Sequence, residues 1–214
     1  MAFTFPDGLA PEIYPLAWLV GRWQGSGVLD YPGIGKHTIL SDIVFDHDGG
    51  PYLRYEHTIR VVNPPNNSLN GDDGEPVAIP DEKTDEQALA ALGIETTPQL
   101  GEVDLDDTTI WSTETGYWRI STNPVEGIPV DQHLLEVLIV DASGRMAPYA
   151  GVSRPARIDI HSNHIIRTAT AAEVTESVRM YGLVGGKLMW VEELAAFGHD
   201  LGNYASAELD RVED

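Results

Sequence analysis

The chain has 214 residues, 42% of them hydrophobic, which suffices for one large β-domain with a real core or for two small domains. Its 34 acidic and 13 basic residues leave a net charge of -21, a field that repels phosphate backbones and anionic bilayers, so neither nucleic acid nor membrane is an expected partner. The absence of cysteine excludes disulfides, thiolate metal sites and cysteine nucleophiles.

Residues 1 to 7 have neither a basic start nor an apolar run after it, and no later segment is long and apolar enough to cross a bilayer, so a cytoplasmic location is expected. Residues 9 to 20 are apolar and broken by Pro11 and Pro15; they read as an irregular lid or a short helical turn packed across one end of a barrel. Next comes Gly21-Arg22-Trp23-Gln24-Gly25-Ser26-Gly27. In a strand Gly21, Trp23, Gly25 and Gly27 share one face, which then carries one indole and three missing side chains. Such a pattern means a sharp bend, a close backbone approach, or an interior that stays open, and a small closed barrel uses all three.

Ser41 to Phe45 and Tyr52 to Val62 read as a hairpin around Asp48-Gly49-Gly50-Pro51. The second arm places Leu53, Tyr55, His57, Ile59 and Val61 on one face. Residues 63 to 110 break the rhythm: from Asn63 to Asp107 there are twelve acids and one lysine, as expected of an acidic loop insertion. Inside it Thr84 to Gly93 carries the start and stop signals of a short helix. Strand-like runs resume at Gly116 to Thr122, His133 to Val140, Ala156 to His161, His164 to Ala169, Val174 to Leu183, Lys187 to Leu194 and Ala205 to Val212. The expected fold is all-β: a roughly ten-stranded antiparallel up-and-down barrel, lipocalin-like, in a single domain over residues 1–214.

Candidate chemistry is sparse, and no catalytic residue is assigned. No Gly-x-Ser-x-Gly elbow is present. His161 and His164 flank a turn without a third ligand, so they read as surface residues and no metal site is expected. His57 and His133 lie on apolar strand faces, which in an open barrel form the cavity wall. Glu192 and Glu193 point to opposite faces, one inward or at the rim, and nothing supports a glycosidase pair.

The Gly-x-Trp-x-Gly-x-Gly motif with Tyr31-Pro32 resembles the signature of the nitrobindin family, long grouped with fatty-acid-binding-protein-like barrels. Ile166-Arg167-Thr168-Ala169, Val178-Arg179-Met180-Tyr181 and the segment from Glu193 to Arg211 are similar to the family in order and spacing. The resemblance implies a barrel that holds ferric haem b through one histidine, with nitric oxide binding and peroxynitrite isomerisation on the open side. In the family that histidine follows a Gly-x-x-Leu element by three residues and precedes an alanine by three. Counting from Gly198, Leu201 and Ala207, the position is Tyr204. His199 lies five residues away in a turn, and Thr168 to Val178 lacks the basic residue that the family places near the haem.

The sequence therefore points to a nitrobindin-like barrel without the haem-ligand histidine. It is expected to carry no cofactor and no enzymatic activity and either to bind another small apolar ligand or to have a scaffold role, with a second copy of itself as a candidate partner. The alternatives are a haem b peroxynitrite isomerase ligated by the Tyr204 phenolate or another residue, and a fatty-acid carrier. A phenolate ligand calls for a nearby cation. The only one close in sequence is Arg211, which strand alternation places on the face opposite Tyr204.

Overall fold

Along most of the chain a buried residue alternates with a more exposed one, the pattern of a sheet with one face on a core. In the computed structural model, which describes residues 6–63, 103–123 and 127–213, these runs form eleven strands. They are β1 (Gly21–Tyr31), β2 (Gly35–Asp46), β3 (Leu53–Val62), β4 (Thr108–Ile120), β5 (His133–Asp141) and β6 (Arg145–Arg154). Then follow β7 (Arg157–Ser162), β8 (Ile166–Arg167), β9 (Val174–Val184), β10 (Lys187–Ala196) and β11 (Gly202–Val212). All pairings are antiparallel, and β1 pairs with β11, so ten strands close into a barrel without a free edge. The two-residue β8 pairs with the start of β6, on the edge that β7 takes farther along. The expected all-β barrel is what the chain forms.

The apolar segment before β1 is a 3-10 helix, Pro11–Leu19, that buries Ile13, Leu16, Ala17, Trp18 and Leu19 in the barrel core. Trp23 donates its indole N–H to the Leu19 carbonyl at 2.7 Å. Arg211, across the ladder from Trp23, lays its guanidinium 4.1 Å above the indole and donates to the carbonyls of Trp18 and Val20. The helix exit is thus fastened to both chain ends of the β1–β11 ladder, and one end of the barrel is plugged.

Among the readings of the glycine motif, the structure supplies a close backbone approach. A Cβ on Gly25 or Gly27 would lie 2.0 Å from the carbonyl oxygen of Glu208 or Ser206 on β11. Gly21 adopts φ +128, a conformation that side chains disfavour.

Several strand bounds differ from expectation, and the run expected from His164 to Ala169 is a strand only at Ile166–Arg167. β2 begins at Gly35, ahead of Ser41, and β4 at Thr108, ahead of Gly116. β6 has no counterpart among the expected runs; it contains Pro148 and Gly151, residue types that disfavour a regular strand interior. Pro148 is exposed, and at Gly151 the backbone passes so close to β7 that a Cβ would meet the Asp159 carbonyl oxygen at 2.1 Å. The helix expected at Thr84 to Gly93 lies outside the described residues. Asn63 donates its N–H to the Asp107 carbonyl at 2.9 Å, so the intervening chain leaves and returns at neighbouring points of the β3–β4 hairpin.

Candidate functional site

Apolar side chains fill the plugged half of the barrel, but the middle holds charge. Arg179 on β9 reaches across to Glu114 on β4 with two hydrogen bonds, 2.5 and 2.9 Å, and its Nε donates to Glu192 Oε1 on β10 at 2.9 Å. Ser177 donates to the same Glu192 oxygen at 2.9 Å and accepts from the Tyr149 hydroxyl at 3.0 Å. On the other flank the Tyr55 hydroxyl donates to Glu114 Oε1 at 2.7 Å. Trp190 Nε1 donates to Ser41 Oγ at 3.1 Å, which leaves the Ser41 proton for His57 Nε2 at 2.8 Å. His57 then carries its proton on Nδ1, 3.4 Å from Glu114 Oε1. Both ring nitrogens of this buried histidine are therefore engaged.

These groups hold one another in definite charge states. Burial alone would raise the Glu114 carboxyl, but the Arg179 charge and the bond from His57 hold it well below the usual carboxylate range. Burial disfavours the Arg179 cation, yet the two carboxylates more than compensate, so it stays charged. Glu192 moves the other way: burial, helped by the nearby Glu114 charge, raises its carboxyl despite Arg179.

The charged cluster forms the floor of a recess at the end of the barrel opposite the helix. Ile139, Met146, Ile165, Val174 and Leu194 contribute apolar wall, Asp141 and Arg145 a second ion pair at 2.6 Å, and Tyr204 the rim. Its cavity volume is about 60 Å³, several times the ~10–15 Å³ that a single water requires.

Two bulges shape the rim. In the β10–β11 ladder Glu192 faces Ala205 and Glu193 faces Asn203, which makes Tyr204 an extra residue. In the β3–β4 ladder Ile59 faces Ser112 and Arg60 faces Ile110, which makes Trp111 extra in the same way. A bulge re-aims its side chain. These two side chains meet: Trp111 Nε1 donates to Tyr204 Oη at 2.6 Å. The Tyr204 ring also packs edge-on against Tyr31 at 5.8 Å. Burial pushes the Tyr204 phenol up to about 12, although the Trp111 bond and the charges of Arg145 and Arg179 pull it down.

The residues singled out in the sequence are spread through the barrel. Gly21, Trp23, Gly25 and Gly27 belong to the plugged half and the β1–β11 seam. His57 lies inside the barrel beneath the recess, and His133 is half-buried at the start of β5; neither lines the recess. His161 is exposed and bonded to Glu176, His164 is exposed, and His199 sits edge-on to Tyr31 at 6.1 Å. Among the described residues no group of three or more His, Cys, Asp or Glu side chains is arranged to hold a metal ion. Of the glutamate pair, Glu192 is the inward one. Sequence reasoning missed Arg179, one residue beyond the window in which a basic residue was sought, and Arg145; these bring positive charge to Tyr204 where Arg211 does not. It also missed Glu114 and Trp111.

Fold and site together define a closed ten-stranded β-barrel with a polar floor and an open recess at one end. The chain belongs to the family described as "THAP4-like, heme-binding beta-barrel domain", which matches residues 12–211, and its named relatives place it among the nitrobindins. It is 38% identical to a ferric nitrobindin-like protein of Beutenbergia cavernae over 99% of this chain and 100% of that one. It is also 30% identical to a peroxynitrite isomerase of Leifsonia xyli subsp. xyli, over 97% and 98% of the two chains. Among solved structures, that of Rv2717c from M. tuberculosis shares the fold, with a TM-score of 0.64 and 23% identity over 96% of this chain and 99% of the other.

Proposed function

We propose that this barrel does not bind haem in the family manner and that its recess takes a small ligand with an apolar body. One observation carries the reading: at the rim position where the family resemblance expects an imidazole, the chain has the Tyr204 phenol, already bonded to Trp111. A haem b requires an axial donor there. None of the recess-lining residues is a histidine, and the interior His57 has both nitrogens committed. Tyrosine can ligate ferric haem as phenolate. Here burial pushes the Tyr204 phenol up to about 12 and Trp111 already bonds its oxygen, so the free protein presents a neutral, engaged phenol at the rim rather than a phenolate. The residues present do not fit the group. The reading aligns the chain with its relatives named ferric nitrobindin-like protein rather than with those named peroxynitrite isomerase. The charged floor also argues against a fatty acid, because an aliphatic chain would have to lie against Glu114, Arg179 and Glu192.

The test is a titration of the purified protein with hemin, followed in the visible spectrum. No saturable Soret shift is expected for the native chain. Tyr204→His is expected to create one, since it restores an imidazole at the rim of an intact barrel. A shift that saturates at one equivalent in the native protein and disappears in Tyr204→Phe overturns the reading and establishes phenolate ligation.

A further inference from the structure

We propose that the recess selects a small organic cation, an amine with an apolar body whose N–H groups bond Glu192 Oε2; this rests on the reading above that the recess holds a small ligand rather than haem. The bonds from Ser177 Oγ and Arg179 Nε, and the 2.8 Å contact of Arg179 Nη2, all end on Glu192 Oε1. Among the described residues Oε2 has no hydrogen-bond partner. The side chain is only 7% exposed and lines the recess, and Oε2 is not among the described atoms that are both sealed from solvent and unpartnered, so its remaining access is through the recess. A buried carboxylate oxygen in that state seeks a donor, and a cationic donor gives the strongest bond.

The charges around the recess point to the same ligand class. Its lining carries three carboxylates, Glu114, Asp141 and Glu192, and two guanidinium groups, Arg145 and Arg179. Arg145 is taken up by Asp141, and the two Nη groups of Arg179 bond both oxygens of Glu114. That leaves one carboxyl more than there are guanidinium groups, and a cationic ligand beside Glu192 would hold that side chain ionised against the burial that raises its carboxyl. An ammonium group would neutralise it, whereas an anion would add to a local excess inside a chain of net charge -21. Ile139, Met146, Ile165, Val174 and Leu194 offer the remainder of such a ligand an apolar wall. The cavity volume of about 60 Å³ favours a compact molecule.

Three probes of nearly equal shape test this: benzylamine, benzyl alcohol and benzoate, titrated into the full chain by calorimetry and ligand-observed NMR at pH 7. Benzylamine is expected to bind about tenfold or more tightly than benzyl alcohol, with benzoate weaker than both, the ratio expected of one charge-assisted bond. Glu192→Gln, checked for an unchanged near-UV spectrum, is expected to reduce the preference to within about twofold. Equal binding of the amine and the alcohol by the native protein overturns the inference while leaving the small-ligand reading intact. An undiminished preference in Glu192→Gln overturns it as well. If none of the three binds saturably the inference falls, and if hemin then binds at one equivalent the reading beneath it falls too.

Discussion

Replacing Arg179 with methionine removes the one cation that two buried carboxylates share. Methionine fills much of the same space with a flexible apolar chain, so the change is chiefly electrostatic. Arg179 makes three hydrogen bonds to Glu114 and Glu192, and the three side chains are 8%, 11% and 7% exposed, respectively. Removing one partner of a buried ion pair typically costs about 3–5 kcal/mol, because the other charge stays behind unpaired. Here two are left facing each other, so a loss toward the upper end of that range is expected at pH 7. The pH dependence gives a second check. In the native protein Glu114 is held below its unfolded value, so its contribution is present above about pH 4.5 and lost as pH falls through its folded value. Without Arg179, burial raises both carboxyls, and the folded variant takes up protons that the native protein does not. The stability gap should therefore narrow steadily from pH 7 toward about pH 4. Urea unfolding followed by tryptophan fluorescence at several pH values measures it, and adding Glu114→Gln and Glu192→Gln to Arg179→Met should recover most of the loss. A single variant within about 1 kcal/mol of native at pH 7, or a gap that ignores pH, refutes the account of the cluster.

Two other substitutions test other parts of the barrel. Gly27→Ala puts a methyl group 2.0 Å from the Ser206 carbonyl oxygen and 2.6 Å from Ala207 Cβ, a clash that no rotamer relieves, so a loss of about 3 kcal/mol or more is expected. Gly33→Ala is the control: φ is +82 but nothing lies within 4 Å, so only about 1–2 kcal/mol is at stake, and equal melting temperatures for the two variants would contradict the close-approach explanation. Trp111→Phe removes the donor to Tyr204 while leaving the phenol covered, so stability should change by only about 1 kcal/mol and Tyr204 should titrate higher still. NMR of ring-labelled tyrosine reads this, and a downward shift would show that the Trp111 bond does not favour the ionised form.

Local periodicity carried most of the fold. The glycine motif marked the strand that meets β11, the apolar run of residues 9–20 marked an end plug, and the resemblance to the nitrobindin family brought attention to Tyr204, which lines the recess. What stayed hidden depends on neighbours distant in sequence. Glu114 and Arg179 are 65 positions apart, and only barrel closure, which sets who faces whom across the interior, brings them together. The bulges at Trp111 and Tyr204 were hidden for another reason: an extra residue shifts the alternation by one, so counting faces along β11 from Arg211 misplaces Tyr204 and the residues before it. β6 had no counterpart among the expected runs; it contains Pro148 and Gly151, which disfavour a regular strand interior, and the close passage of β7 at Gly151 is not visible in the sequence.

The bulge at Tyr204 separates a position of the chain from the ladder around it. Because Asn203 and Ala205 keep their own partners on β10, residue 204 can be exchanged without changing which face any other β11 side chain occupies. The barrel thus has an interchangeable socket at its mouth: phenol, imidazole or aliphatic group could be placed there while the closed sheet, the helix plug and the charged floor remain the same. If the proposed role of position 204 holds, a change in what the recess accepts would need only one codon, and an engineer could vary the chemistry of this scaffold at that point without redesigning its walls.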